Sequence, residues 1–121
     1  MIDHSDPRSI DWAGVQHAIG AACDAKRVLV EGTFALEHPI RELARWAVYL
    51  HTPDDVRLAR KILRKFEDGG DPRASLLGYL ARGRAAHHQH VASKRSFADF
   101  ELDGAQTVER LVDQLSTAIR L

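Results

Sequence analysis

Apolar positions return along this chain in two rhythms, and each rhythm predicts an element. Trp12, Val15, Ile19 and Ala22 fall at helical spacing, with Asp11 placed to cap the first turn. Between Arg27 and Leu36 that rhythm stops. Val28-Leu29-Val30 is a continuous apolar run ended by Glu31-Gly32, which predicts a strand at 27–31 buried on both faces. Pro39 can open a short helix, 40–45, that buries Ile40, Leu43 and Ala44. Trp46-Ala-Val-Tyr-Leu50 predicts a second buried strand. Thr52-Pro-Asp-Asp55 has the chemistry of a helix start: a hydroxyl to cap, proline at the first helical position, and two carboxylates at the positive end of the dipole. The helix runs to about Phe66 with Val56, Ala59, Leu63 and Phe66 on its apolar side. Asp68-Gly-Gly-Asp71 breaks it, and Asp71 caps a long helix from Pro72 to about Ala92, weakened by Gly78 and Gly83. Residues 97–102 alternate like a strand, and Val108, Leu111, Val112, Leu115 and Ile119 mark one face of a last helix.

Strands that alternate with helices predict an α/β fold with a three-layer parallel sheet and flanking helices, in a single domain over 1–121. Three strands make a narrow sheet whose edges need covering. The expected partner is therefore a second copy of the chain, or another chain laid along the sheet edge.

Composition narrows the function classes. In 121 residues, Lys+Arg and Asp+Glu are 17 each, so no bulk field favours nucleic acid or an anionic membrane. An anion site has to come from local clustering. The amino terminus is polar and acidic rather than a secretory signal, and no apolar run reaches the length of a membrane span. The single cysteine, Cys23, has no internal disulfide partner. It falls on the apolar side of the first helix, as a small core residue rather than a nucleophile. A reduced, cytoplasmic protein is the simplest expectation.

Four features could carry chemistry. Glu31 ends a predicted strand at the edge where open α/β sheets bind ligands; it is a magnesium ligand, a general base or a solvated charge. Arg57, Arg60, Lys61 and Arg64 form a basic stripe at i, i+3, i+4 and i+7, either a phosphate-binding face or a solvated face paired with Asp54, Glu67 or Asp68. His87 and His90 share a helix face but have no nearby carboxylate or cysteine to complete a metal set. Trp12, Trp46, Phe66 and Phe97 read as core rather than as a stacking platform.

Three stretches, Val28-Leu-Val-Glu-Gly-Thr-Phe-Ala-Leu36, Tyr49-Leu-His-Thr-Pro-Asp-Asp-Val-Arg-Leu-Ala-Arg-Lys-Ile-Leu-Arg64 and Lys94-Arg-Ser-Phe-Ala-Asp99, follow one another as in uridine kinases and related P-loop nucleoside kinases. The chain resembles the carboxyl-terminal portion of such a kinase, and the likeness extends to the acidic segment that ends at Trp12. The resemblance implies that Glu31 belongs to the magnesium and phosphate site. It implies that Arg60 and Arg64 sit on a lid that closes over nucleotide phosphates, within a helical lid-like region at 53–92. It also implies that Asp3 or Asp6 holds the ribose hydroxyls of a nucleoside, and that the cofactor is Mg2+ with ATP. Magnesium suits a carboxylate because it prefers hard oxygen ligands and keeps several waters. Guanidinium groups suit charge spread over phosphoryl oxygens.

The departures are as specific as the matches. No G-x-x-x-x-G-K-[ST] occurs in the 121 residues, so the backbone nest, lysine and hydroxyl that hold nucleotide phosphates are missing. After Arg64 the family's further lid arginine gives way to Glu67-Asp-Gly-Gly-Asp71, and Asp11 and Val28 lie too close together to hold the base-binding hairpin. The expected fold is a truncated P-loop-kinase-like one. The expected function is a nucleoside kinase-like transfer of the ATP γ-phosphoryl to a 5′-hydroxyl, incomplete or inactive in this chain alone. Two alternatives stand beside it: a non-catalytic kinase-like binding domain, and an unrelated small α/β interaction protein. The nucleoside is not identified, because the base-selecting hairpin is absent.

Overall fold

The computed structural model describes residues 3–120. Two strands run in parallel, Val48–His51 (β1) and Phe100–Asp103 (β2), in register from Val48 opposite Phe100 to His51 opposite Asp103. A parallel pair needs a long crossover, and here it is a run of helices: Asp54–Glu67 (α3), Pro72–Gly78 (α4), a π-helical turn at Tyr79–Gly83, and Arg84–His90 (α5), followed by a 3-10 turn at Ala92–Phe97. Trp12–Ala21 (α1) and Ile40–Leu43 (α2) precede the sheet, and Val108–Ala118 (α6) follows it.

The caps explain most helix starts. Asp11 accepts from the Gly14 N–H, Asp71 from Arg73 and Thr107 from Arg110. α3 differs from expectation, because Pro53 occupies the cap position and Thr52 makes no capping bond. Thr52 is instead buried, with its hydroxyl beside Gly104. Asp54 and Asp55 still occupy the first turn, where the dipole favours them. Gly69, just beyond α3, has φ +73°, the left-handed conformation that glycine adopts without a Cβ clash.

One side chain sets where both strands begin. Asp99 Oδ2 accepts from the Ala47 backbone N–H at 2.8 Å and from Arg41 at 3.2 Å, while Arg41 Nε donates to the Phe97 carbonyl at 2.7 Å. The strands therefore start at Val48 and Phe100, later than the apolar runs suggest, and Trp46 meets Phe100 ring to ring at 5.5 Å.

The fold is α/β with a parallel sheet, but the sheet has two strands rather than three among the described residues. The predicted strand at 27–31 is not formed. A strand buried on both faces requires ladder neighbours, and Val28, Leu29 and Val30 have none here; they lie exposed, Leu29 by 87%. The core is correspondingly thin. Phe34, Ile40, Ala47 and Tyr49 are the buried apolar residues among those described. Trp46, Phe66 and Phe97, expected in the core, are exposed, and so is Cys23, which lies in a turn past the end of α1. No helix among the described residues is long and apolar enough to cross a membrane.

Candidate functional site

β1 and the segment 29–37 both line a cavity of about 450 Å³. Glu31, Gly32, Thr52, Arg57, His87 and Lys94 all line it, brought together from the 29–37 segment, β1's end, α3, α5 and the 3-10 turn. Most of the lining is apolar, including Phe34, Tyr49 and Val91. A cavity of this size and character, with a few convergent polar groups, is the usual form of a small-molecule site.

The polar wall is an ordered network. Arg57 Nη2 donates to Asp54 Oδ1 at 2.7 Å, and Nη1 meets His87 Nδ1 at 2.9 Å. His88 Nε2 approaches the other Asp54 oxygen at 3.4 Å. The Arg57 hydrogen bond holds the Asp54 carboxyl below its ordinary value. Burial first, and the Arg57 charge second, push the His87 pKa down. An arginine has only donors, so His87 Nδ1 accepts, and the neutral ring carries its proton on Nε2. Arg57 Nε is buried without a partner, which leaves one donor on this wall unsatisfied. Lys94 pairs with Glu37 at 3.3 Å.

The residues singled out from sequence are dispersed around this wall. Glu31 lines the cavity with its carboxylate exposed. Arg60 Nη1 donates to the Gly104 carbonyl at 2.8 Å, which ties α3 to the end of β2, and Arg60 does not line the cavity. Arg64 lies one turn further along α3 and is exposed. Asp3 and Asp6 line a second cavity, about 540 Å³, with Arg8, Arg82 and His90. Asp3 Oδ1 accepts from Ser5 N at 3.0 Å, and Asp6 accepts from Arg8 through both carboxylate oxygens, at 3.0 Å and 2.9 Å from Nε. The Arg8 hydrogen bonds hold the Asp6 pKa down to about 2. His90 lines both cavities, so α5 is the partition between them. The basic stripe on α3 pointed to Arg57, but nothing in the spacing shows that it meets a histidine thirty positions later.

Among the described residues, no three or more His, Cys, Asp or Glu side chains are grouped to share a metal ion. Glu31 alone could give magnesium one ligand, with phosphate oxygens and water supplying the rest, which is within that ion's habits.

No family model matches the chain. Individual proteins do. A uridine kinase of Lactiplantibacillus plantarum is 32% identical over 95 residues, which is 77% of this chain and 46% of that enzyme. A uridine kinase of Macrococcus caseolyticus is 30% identical over 95 residues, and one of Streptococcus pneumoniae is 31% identical over 93 residues, 75% of this chain and 44% of that protein. The chain is thus related to nucleoside kinases. More narrowly, it is similar to the carboxyl-terminal part of uridine kinases, and it spans less than half the length of these relatives.

Proposed function

We propose that this chain supplies part of a uridine kinase-like phosphotransferase site, acting with Mg2+ and ATP on the 5′-hydroxyl of a nucleoside. The observation that carries the reading is the 32% identity to a uridine kinase over 77% of the chain. Glu31 would give a carboxylate to magnesium, which neutralises phosphate charge when bound. Arg60 and Arg64 would donate to phosphate oxygens, and Asp3 or Asp6 would accept from ribose hydroxyls. Arg60 and Asp6 must first exchange existing partners, the Gly104 carbonyl and Arg8, so their roles require a rearrangement on binding. Arg57 lines the Glu31 cavity already, and its guanidinium is the right chemistry for a ligand oxygen. The region 53–92 acts as the lid in this reading, within a single domain, and the compartment is the reduced cytoplasm, in keeping with one unpaired cysteine.

A second reading, a non-catalytic kinase-like binding domain, is favoured by one observation: Arg60 and Asp6 are already committed to the Gly104 carbonyl and to Arg8. ATP binding by calorimetry, with and without Mg2+, tests the site that both readings share. Tighter binding with Mg2+, weakened by Glu31→Gln and Arg64→Ala, is expected. Binding indifferent to all three changes rules out the kinase-like site. A uridine phosphorylation assay on the same samples then separates transfer from binding alone.

A further inference from the structure

The contact between Arg57 and His87 fixes more than the position of two side chains. His87 Nδ1 lies 2.9 Å from Arg57 Nη1, and an arginine only donates, so Nδ1 is bare and the ring carries its proton on Nε2. Arg57 is itself held, because Nη2 donates to Asp54 Oδ1 at 2.7 Å. The other Asp54 oxygen approaches His88 Nε2 at 3.4 Å. The His88 ring stands edge-on to His87, with centroids 5.9 Å apart. Two residues of α3 and a neighbour on α5 thus hold one half-buried imidazole in one tautomer.

His87 and Arg57 both line the cavity that holds Glu31, and so does Lys94. With Nδ1 taken, the polar atom that His87 has for a ligand is the Nε2–H. That group is a directional, uncharged donor beside a guanidinium. It matches an oxygen that only accepts, as a phosphate oxygen does, and it offers nothing to a ligand group in need of an acceptor. Arg57 supplies the charge that favours an anion, so the ring can bind one without being protonated. Burial, and then the Arg57 charge, keep it neutral.

We propose that His87 is a nucleotide-binding residue: Nε2 donates to a phosphate oxygen, while Arg57, through Nδ1, holds the ring in the tautomer that can donate. The identity of the ligand rests on the phosphotransferase reading, and the tautomer does not. The contact is additional to those of Glu31, Arg60 and Arg64.

Long-range proton–nitrogen correlation spectra of the nitrogen-15-labelled chain at pH 8 test the tautomer, with the His87 signals assigned by their loss in His87→Gln. A protonated Nε2 and a bare Nδ1 are expected, and ATP with Mg2+ should shift the Nε2 resonance. Two variants then separate the nitrogens. His87→Asn places an amide oxygen near Nδ1, where Arg57 needs an acceptor, and removes the distal donor. His87→Gln carries its amide nitrogen out toward Nε2 and removes the acceptor. His87→Asn should therefore keep more of the stability and bind ATP with Mg2+ roughly tenfold more weakly than the parent, the effect of one lost hydrogen bond. His87→Gln should be the less stable variant and the tighter binder of the two. A ring protonated on Nδ1 overturns the proposal, as does affinity that simply follows stability across the pair. Binding that needs Glu31 and Arg64 but is unchanged in His87→Asn overturns it alone. No binding of ATP with Mg2+ by the parent removes the phosphotransferase reading and this contact together.

Discussion

Arg57 Nη1 meets His87 Nδ1 at 2.9 Å, joining the start of α3 to α5. The contact exists only while the ring is neutral, because protonated Nδ1 would set two cations against one another. The His87 pKa is lowered in the fold, so the unfolded chain binds the proton more readily. Stability should therefore fall as pH drops through the ordinary histidine value, about 6.5, toward the depressed folded value. Asp54 and Arg57 on α3, His88 on α5 and His51 on β1 set the field at the ring. Urea titrations at neutral and mildly acidic pH check this, and His87→Gln should flatten the slope in that window. Asp54, whose pKa is lowered, contributes with the same sign but in a separate and more acidic window, below the ordinary carboxylate range.

Asp99→Ala should be among the more damaging single changes in the sheet. It removes the acceptor for the Ala47 N–H at 2.8 Å, in a residue only 4% exposed, and it frees Arg41. A buried donor left unpaired costs roughly 1–3 kcal/mol. Asp99→Asn retains an acceptor oxygen and should recover part of the loss. Equilibrium denaturation of both variants measures the difference.

Two glycines should respond oppositely to alanine. A Cβ at Gly104 collides with Thr52 Oγ1 and lies 3.2 Å from the His51 carbonyl, so strands and side chain must shift. Overpacking of this kind costs about 1–3 kcal/mol. A Cβ at Gly20, in α1, meets nothing within 4 Å, and alanine is the better helix former by about 0.5–1 kcal/mol. Thermal melts should show Gly104→Ala falling and Gly20→Ala level or rising.

What was legible in the sequence follows from how local each signal is. Asp11 and Asp71 act on backbone groups two or three residues away, so a single sequence suffices to place the helices they cap. α6 needed only its own periodicity. Val28-Leu29-Val30 misled because an apolar run reports a demand for burial, and the neighbour that would meet the demand lies outside its own sequence. Thr52 misled in the same way: its spacing to α3 suits a cap, while its burial beside Gly104 depends on where β2 ends. At the candidate site, Glu31 was found from its place after the apolar run. The Arg57–His87 couple was not, because it depends on how α5 folds back over α3.

Arg60 and Arg64 offer the sharpest separation between a structural and a ligand-binding arginine, since they lie one turn apart on α3 and differ in what holds them. Arg60 is committed to the Gly104 carbonyl at 2.8 Å, while Arg64 makes no side-chain hydrogen bond or ion pair among the described residues. Arg60→Ala should therefore lower stability, by about 0.5–1.5 kcal/mol for the lost hydrogen bond, whether or not nucleotide is present. Arg64→Ala should leave the denaturation midpoint of the free chain within about 0.5 kcal/mol of the parent, as surface substitutions do. If both arginines reach phosphate in the bound state, ATP with Mg2+ should raise the midpoint of the parent more than that of either variant, through linkage of binding to folding. Denaturation of the parent, Arg60→Ala and Arg64→Ala, each with and without ATP and Mg2+, reads both effects in one series. An Arg64→Ala variant stabilised by nucleotide as fully as the parent would remove Arg64 from the site and leave α3 a scaffold for Arg57.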